Sequence, residues 1–359
     1  STQGVSSAAS DVYKRQSGVR AALPAGAAGA LLPGSADAAP AAAKDATPLA
    51  PLGDASLAPR ERLLFDFGWR FHPGHASDPS RDFEFGTFQR TFAKAGKDTA
   101  TAAQLAFDDS NWQQVDLPHD WAVTLPFRPE PISASMTEED PAAAHGYKAL
   151  GTSFPENSVG WYRRMLQIPA SDLGKRICLV FDGVFRDCVV FCNGHIVGRN
   201  ASGYCGFEVD LSEVLDYGKP NLIVVRVDAT LGEGWFYEGA GIYRHLWLQK
   251  TDPLHVPQHG VFVRSSVQGD TATAQLSTEV RNDGTASRQC AVQARITAPD
   301  GRIVAQAASA AVTVAPGQVQ VVEQTVPLGQ AALWSIDTPQ LYTLTTSVHS
   351  AGVAVDALV

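Results

Sequence analysis

Residues 176–198, RICLVFDGVFRDCVVFCNGHIVG, decide the fold, because they contain two short apolar runs separated by turn residues. Both runs are rich in Val, Ile, Leu, Phe and Cys, which is typical of strands that are buried on both faces. Asp182-Gly183 offers a tight turn, and Asn193-Gly194 is the strongest short signal for a β-hairpin. Similar apolar runs recur at residues 221–227 and 242–248. From about Leu63 to Lys250 the pattern therefore predicts a β-sandwich of jelly-roll type.

The sequence pattern changes after residues 251–253. Ala274, Leu276, Thr278 and Val280 alternate with polar residues, as in strands that bury one face only. The same alternation returns at residues 290–296, and further strands are expected near residues 312, 319–326 and 341–348. Regular turns separate these strands, so we expect an immunoglobulin-like sandwich over residues 251–359. The predicted fold class is thus all-β, with a jelly-roll sandwich at 61–250 followed by an immunoglobulin-like sandwich.

The first 60 residues differ in composition from the rest of the chain. Residues 21–50 contain 14 Ala, 4 Pro and 3 Gly, which is too little large apolar surface to offset the entropy of ordering. Residues 1–60 are therefore predicted to be a disordered leader. Ala36-Asp37-Ala38 and similar triplets have the small-residue pattern of the cleavage site of a secretory signal, but the signal is weak. A periplasmic or secreted location and a cytoplasmic one therefore both stay open. Residues 6–16 resemble translated adaptor sequence, so we expect an artefactual start.

Charge and cysteine usage exclude several functions. The chain has 28 Lys plus Arg against 37 Asp plus Glu, and its net charge of −9 gives phosphate-backbone binding little electrostatic basis. We therefore expect no nucleic-acid partner, and the apolar runs after residue 61 are too short to span a membrane. Four of the five cysteines lie within 28 residues without a Cys-x-x-Cys pair, so no zinc site is predicted. Buried free thiols in strands are the preferred interpretation, and a single disulfide is the alternative.

Two segments carry the candidate chemistry. Residues 233–244, EGWFYEGAGIYR, combine aromatic rings, carboxylates and glycines just before a strand. Aromatic faces stack on the C–H face of a pyranose and carboxylates accept bonds from its hydroxyls, so this composition suits a sugar site. The alternative is an aromatic turn that fills the end of the sandwich.

The second segment is LPHDW at residues 117–121. His119 and Asp120 are adjacent and would point to opposite faces of a strand, which favours a loop in which Asp120 accepts backbone N–H bonds. The pair Arg163-Arg164 is interpreted as the polar side of a strand.

Taken in order, these segments resemble the front half of glycoside hydrolase family 2, which contains β-galactosidases, β-glucuronidases and β-mannosidases. The resemblance rests on the motifs FGWRF (67–71), LPHDW (117–121), GWYRR (160–164) and GAGIYR (239–244), with LWSIDTPQLY (333–342) near the end of the second sandwich. It implies a sugar-binding sandwich and a retaining β-glycosidase in which two Glu residues act from a (β/α)8 barrel. The sequence of residues 233–244 most resembles the corresponding sequence of bacterial β-galactosidases.

The resemblance also implies that the barrel is absent from this chain. A barrel needs about 250 residues, whereas 17 residues follow Tyr342 and the chain contains no Asn-Glu dipeptide, the family's local mark for its acid/base residue. We therefore expect a non-catalytic portion with no catalytic residue of its own and no cofactor or metal. Its partners would be the barrel and, through the parent enzyme, a β-linked sugar, and a homo-oligomer is compatible with this role. The alternative function is an autonomous carbohydrate-binding module of two domains.

The family places an Asp before its glycine signature, but the aligned residue here is Trp235. The resemblance then leaves Glu233 or Glu238 as the carboxylate that contacts sugar and Trp235 or Tyr237 as the aromatic platform. Asp120 in the LPHDW motif completes the predicted substrate-binding set.

Overall fold

The computed structural model describes residues 59–86, 101–128, 147–232, 238–269 and 271–359. The predicted leader at residues 1–60 lies almost wholly outside these ranges. The described residues contain strands and short 3-10 turns but no α-helix, and therefore no (β/α)8 barrel. In the same ranges no helix has the length and hydrophobicity that a membrane span requires. The predicted all-β fold class, with a jelly-roll sandwich and an immunoglobulin-like sandwich, is confirmed.

Within the described ranges the first sandwich contains twelve strands, all of which pair antiparallel. They are β1 (Glu61–Leu64), β2 (Trp69–Pro73), β3 (Gln113–Val115), β4 (Phe127–Arg128), β5 (Tyr147–Lys148), β6 (Val159–Gln167), β7 (Arg176–Phe181), β8 (Cys188–Cys192), β9 (His195–Asn200), β10 (Phe207–Asp210), β11 (Pro220–Asp228) and β12 (Leu246–Thr251). One sheet has the order β1-β12-β7-β10 and the other has the order β3-β2-β6-β11-β8-β9. Strands β4 and β5 form a separate hairpin-like pair. The 3-10 turns lie at Pro79–Arg81, Thr101–Ala103, Trp121–Thr124 and Ala170–Asp172.

The six-stranded sheet of the first sandwich is covered on both faces, which explains its continuous apolar strands. Its inner face packs on the four-stranded sheet around Trp69, Tyr162 and Val225. Its outer face is covered by residues 76–85 and 102–112, whose apolar side chains meet Trp161 and Phe191. Because every side chain of β8 is therefore buried, this strand could not alternate between apolar and polar residues.

Arg163 corrects one prediction from the sequence. Its side chain is 2% exposed instead of lying on a polar face. The guanidinium donates to Asp109 at 2.8 Å and to the carbonyl of Ala102, so it fastens the outer cover to the sheet. A buried guanidinium is tolerated here because both a carboxylate and backbone carbonyls satisfy it.

In the part of the second sandwich that the structure describes there are nine strands. They are β13 (Leu254–His255), β14 (Val261–Gln268), β15 (Thr271–Asn282), β16 (Arg288–Thr297), β17 (Ile303–Ala308), β18 (Val312–Val314), β19 (Val319–Gly329), β20 (Thr343–Ser350) and β21 (Val353–Leu358). One sheet joins β13 and β14 to β15, which also pairs with β19, and the other has the order β17-β16-β20-β21 with β18 beside β16. The alternation predicted for β15 is confirmed, since Ala274, Leu276, Thr278 and Val280 are all buried.

Ionic and polar contacts fasten the two sandwiches to each other. Asp356 of β21 is fully buried, pairs with Arg60 at 2.6 Å and accepts the backbone N–H of Val256 at 2.8 Å. On another side of the junction, Nε of Arg176 lies 3.1 Å from a carboxylate oxygen of Asp283. The Arg60–Asp356 and Arg176–Asp283 pairs cross the junction, whereas the bond from Val256 holds the Asp356 carboxylate in place within the second sandwich.

Candidate functional site

The predicted sugar-facing segment follows β11 and leads into β12. Glu233, Trp235 and Tyr237 lie outside the described residues, so their predicted roles stay predictions. Glu238 and Asp120 are described, and the structure brings their neighbourhoods together, because the Asp120 carboxylate lies against Gly239. Gly232 and Glu238 also lie close together, since a Cβ on Gly232 would lie 3.2 Å from the Glu238 carboxylate.

Residues 119–121 and 240–242 form a paired arrangement that we call the clamp. The backbone N–H of His119 donates to the carbonyl of Ile242 at 2.8 Å, and that of Trp121 donates to the carbonyl of Ala240 at 3.0 Å. The Asp120 carboxylate accepts the N–H of Ala240 at 2.8 Å and that of Ala122 at 2.9 Å. The clamp therefore fixes the segment that follows the predicted sugar-facing residues against a loop more than a hundred positions away in sequence.

The clamp also explains the local conformation of residues 117–124. Asp120 caps the 3-10 turn Trp121–Thr124, so its carboxylate satisfies a backbone donor of the turn as well as one of the clamp. The backbone interpretation of Asp120 that the sequence favoured is thus confirmed. Direct contact between Asp120 and a sugar stays a prediction.

Two glycines in the GAGIYR motif are required by close approach. Gly241 has a φ of +126°, and a Cβ there would collide with the hydroxyl of Tyr162 and the carbonyl of His119. Its backbone also exchanges two hydrogen bonds with Phe185, of 2.7 and 2.9 Å. A Cβ on Gly239 would collide with the Asp120 carboxylate. The glycines therefore serve backbone packing within the clamp.

A buried tyrosine supports the clamp from below. The hydroxyl of Tyr162, which is fully buried, lies 2.8 Å from Nδ1 of His119 and 3.4 Å from the His119 carbonyl oxygen. Burial raises the pKa of Tyr162 well above its usual value. Burial also lowers the pKa of His119, although the nearby Asp120 opposes that shift. Both side chains are therefore neutral near pH 7, which suits a structural hydrogen bond better than proton transfer.

Aromatic rings surround this pair. Phe71 contacts the ring of His119 at 4.8 Å and that of Trp121 at 5.5 Å between centroids. Trp121 is buried and donates its indole N–H to the carbonyl of Asn157 at 2.7 Å. A Cβ on Gly160 would lie 2.7 Å from the ring of Phe71 and 2.7 Å from that of Trp121, so this position of β6 has no room for a side chain.

The far end of the segment is anchored as well. The hydroxyl of Tyr243 donates to the carbonyl of Gly203 at 2.9 Å. The buried carboxylate of Asp66 accepts the N–H of Leu246 at 2.9 Å and contacts Nδ1 of His245 at 2.6 Å. Strand β12 was predicted to begin at residue 242, but it begins at Leu246, because the backbone of residues 240–242 is engaged by the clamp.

Sequence reasoning missed Tyr162 and Phe185 as parts of the clamp. For Tyr162 a signal existed, because Trp161 and Tyr162 are adjacent in a strand and must face opposite layers. For Phe185 none existed, since its bonds to Gly241 depend on tertiary structure. Within the described ranges no group of three His, Cys, Asp or Glu side chains has the arrangement of a metal site.

Comparison with known families identifies this architecture. The family model described as the sugar-binding domain of glycosyl hydrolases family 2 matches residues 98–252. A second model of the same family, described as glycosyl hydrolases family 2, matches residues 254–358. Together the two matches cover most of the first sandwich, from β3 onward, and nearly all of the second. The chain belongs to glycosyl hydrolases family 2.

Individual relatives agree with this assignment. The chain is 35% identical over 294 residues to a β-galactosidase of Bacteroides ovatus, covering 81% of this chain and 30% of the relative. It is 27% identical over 264 residues to a β-glucuronidase of Bacteroides fragilis, covering 68% of this chain and 34% of the relative.

Solved structures match this chain over a similar share of its length. A family 2 glycosyl hydrolase of Bacteroides cellulosilyticus has a TM-score of 0.63 and 28% identity, with 83% of this chain and 35% of that chain covered. A β-glycosidase of Bacteroides vulgatus has a TM-score of 0.62 and 26% identity, with coverage of 83% and 33%. The chain spans about a third of the length of the relatives that it matches.

Proposed function

We propose that this chain is the non-catalytic portion of a retaining β-glycosidase, most specifically a β-galactosidase, that hydrolyses terminal β-linked sugars. Membership of glycosyl hydrolases family 2 supports a glycosidase. The choice of galactoside is supported by the 35% identity to a β-galactosidase, against 27% to a β-glucuronidase.

The observation that carries the proposal is the clamp. It fixes residues 240–242 on the His119–Trp121 loop by three backbone N–H bonds of 2.8 to 3.0 Å. Because the clamp holds residues 240–242 in place, residues 233–238 would lose less conformational entropy when they bind a ligand. Trp235 or Tyr237 would then stack on a sugar ring, and Glu233 or Glu238 would accept bonds from its hydroxyls.

In this proposal Asp120 is a positioning residue. One of its oxygens already accepts two backbone N–H groups, of Ala122 and Ala240. That oxygen has little capacity left for a sugar hydroxyl. Removing the carboxylate would therefore alter sugar binding mainly through the position of residues 233–238.

Catalysis in this proposal belongs to a part of the parent enzyme outside this chain. A retaining glycosidase needs two carboxyl groups about 5 Å apart on either side of the scissile bond. The relatives are about three times as long as the matched region, which leaves room for a domain that supplies them.

The first test is hydrolysis by the purified chain. Nitrophenyl β-galactoside and nitrophenyl β-glucuronide are the substrates. Neither is expected to be hydrolysed faster than it is in buffer without protein. Turnover of either substrate that survives repurification would contradict the non-catalytic assignment.

The alternative function, an autonomous carbohydrate-binding module, makes a different prediction. The clamp would present the same residues to a glycan without any barrel. Calorimetry with galactosides and with β-glucan and mannan oligosaccharides would then give saturable heat, and Trp235→Ala would abolish it. Absence of heat with every glycan would exclude the module and leave the proposal of an enzyme portion standing.

A further inference from the structure

Strand β14 of the second sandwich is an open edge. It pairs with β15 along its whole length, from Val261 opposite Thr278 to Gln268 opposite Thr271. Among the described residues no strand pairs with its other side. Its large side chains are correspondingly exposed, with Phe262 at 57%, Val263 at 47% and Val267 at 46%. An eight-residue edge of this kind is a template for another strand.

The hydrogen-bond pattern shows which backbone groups are available. The carbonyl of Gly260 accepts the N–H of Glu279 at 2.7 Å, so this pair is a hydrogen-bonded pair of the antiparallel ladder. Such pairs recur at every second residue, and the residues between them direct their N–H and C=O groups away from the partner. The outward-facing groups therefore belong to four residues, Val261, Val263, Ser265 and Val267.

The side chains of the same residues lie on the core face of the sheet. Val263 is opposite Leu276 and Val267 is opposite Ala272, and both partners are buried. Val263 and Val267 are nonetheless about half exposed because nothing described covers the rim of the sandwich beside them. A cavity of about 380 Å³ lies beside this rim, and its lining includes Val267 and Leu333. An added strand would place alternate side chains over these valines.

Protein edges usually carry features that prevent strand addition, and β14 has few of them. Its one charged residue is Arg264, and it contains no proline. By contrast, β19 at the opposite edge of the sheet contains Glu323 and Pro327, and its pairing with β15 includes a register shift at residues 272–273. Charges, prolines and bulges are the common protections of edges.

We propose that a second copy of this chain occupies the edge, with the two β14 strands antiparallel about a twofold axis at Ser265. This register pairs Ser265 with its symmetry mate and Val263 with Val267 of the other copy, using outward-facing groups only. About six new N–H···O bonds form. Arg264 then faces Ser266 of the other copy, so no like charges are opposed.

The other registers are poorer. An axis at residue 264 would place the two Arg264 guanidinium groups directly opposite each other, which is destabilising. An axis at residue 263 would shorten the overlap and leave Val267 uncovered. Self-pairing about residue 265 therefore uses the most backbone groups without opposing charges.

Sedimentation velocity of the full chain over a micromolar to submillimolar series tests the proposal. The chain is expected to dimerise. Ser265→Pro removes only an outward N–H, so the fold should persist while dimerisation weakens by at least about tenfold. Ser265→Ala keeps that N–H and is expected to dimerise like the unaltered chain. A monomer at every concentration, or a dimer indifferent to Ser265→Pro, would overturn the proposal.

A charge pair tests the register and does not depend on the folding of the proline variant. Val263→Lys alone should weaken dimerisation by at least about tenfold, because it removes an apolar pair and adds charge. Adding Val267→Glu in the same chain places Glu opposite Lys twice across the axis and should restore most of the loss. Equal or additive losses in the double variant would refute the register centred on Ser265.

Discussion

The two sandwiches of this chain bury their strands in different ways. In the first, the six-stranded sheet has an apolar core on each face, and Trp69, Trp161, Tyr162, Phe181 and Phe191 are all fully buried. In the second, the cores consist mainly of Val, Leu, Ile and Ala on the single inner face of each sheet. Strand β8 of the first sandwich is therefore buried at every position, whereas β15 of the second sandwich alternates between buried and more exposed positions.

This difference extends to the loops and edges. The first sandwich fixes a glycine-rich turn with backbone bonds, the Asp120 carboxylate and the Tyr162 hydroxyl. The second sandwich instead leaves β14 unpaired along one side in the described residues. The comparison indicates that the first sandwich is specialised for holding a loop in place, while the second offers a lateral surface.

The largest effect is expected from Gly241→Ala in the clamp. The added Cβ meets both Tyr162 and the carbonyl of His119, and the positive φ of Gly241 adds backbone strain. A loss of about 3 kcal/mol in the free energy of unfolding is expected. Urea denaturation measures it.

Gly301→Ala in the second sandwich is the matched control. Gly301 also has a positive φ, of +86°, but a Cβ there has no atom within 4 Å. Only the backbone strain remains, so a loss of about 1 kcal/mol is expected. Equal losses at the two glycines would show that the clamp is not tightly packed.

Asp120→Ala is expected to have the next largest effect. It leaves the N–H groups of Ala122 and Ala240 without their acceptor, at a cost of about 2 kcal/mol. Hydrogen exchange of the Ala240 amide should accelerate, whereas Asp120→Asn should retain partial protection because an amide oxygen still accepts.

The control for Asp120 is Asp78, which caps another 3-10 turn of the first sandwich. Its carboxylate accepts the N–H of Ser80 at 3.0 Å. Asp78→Ala should leave exchange of the Ala240 amide unchanged. Unchanged exchange in Asp120→Ala as well would contradict the positioning role of Asp120.

A smaller effect is expected from pH. Burial lowers the pKa of His119 in the folded chain, so the unfolded chain binds a proton more readily at this position. The contribution of His119 to stability is therefore present above its unfolded pKa of about 6.5 and is lost as pH falls below it. The loss should be below about 1 kcal/mol, because the ring is only half-buried.

Urea denaturation from pH 8 to pH 5 measures this contribution. His119→Gln should reduce the fall in stability, while the buried His255 and the half-buried His349, whose pKa values burial also lowers, contribute equally in both proteins. Identical slopes with and without His119 would contradict its buried, neutral state.

The smallest effect concerns thiol reactivity and leaves stability unchanged. All five cysteines are free, and only Cys205 is exposed. Burial raises the pKa of Cys188 and of Cys192 to about 12 and that of Cys290 above its usual value. Ellman's reagent should therefore modify one thiol rapidly in the folded chain, and Cys205→Ser should remove that phase. Rapid modification of several thiols would indicate that the first sandwich opens readily.

Much of the fold could be predicted from sequence because its signals are local. The Asn193-Gly194 turn joins β8 to β9, and both residues have a positive φ, as the hairpin signal requires. The alternation along β15 and the continuous apolar run of β8 follow directly from burial on one face or on two. The prediction of free thiols in buried strands is confirmed for Cys178, Cys188 and Cys192 but is wrong for Cys205, which is exposed and lies between β9 and β10.

The errors arise where distant residues decide the structure. The start of β12 is set by the bond between His119 and Ile242, and the burial of Arg163 is set by Asp109 and Ala102. No periodicity within either segment encodes these contacts. For the site itself, sequence composition predicts residues 233–244, and this stays a prediction, whereas the clamp on residues 240–242 depends on tertiary contacts that composition does not encode.

The central claim is that this chain is one portion of a glycosidase whose catalytic carboxylates lie outside it. Sequencing the source gene past codon 359 tests it most directly. The account predicts that the reading frame continues into alternating strands and helices of about 250 residues that contain an Asn-Glu pair. A stop codon immediately after Val359 would contradict it.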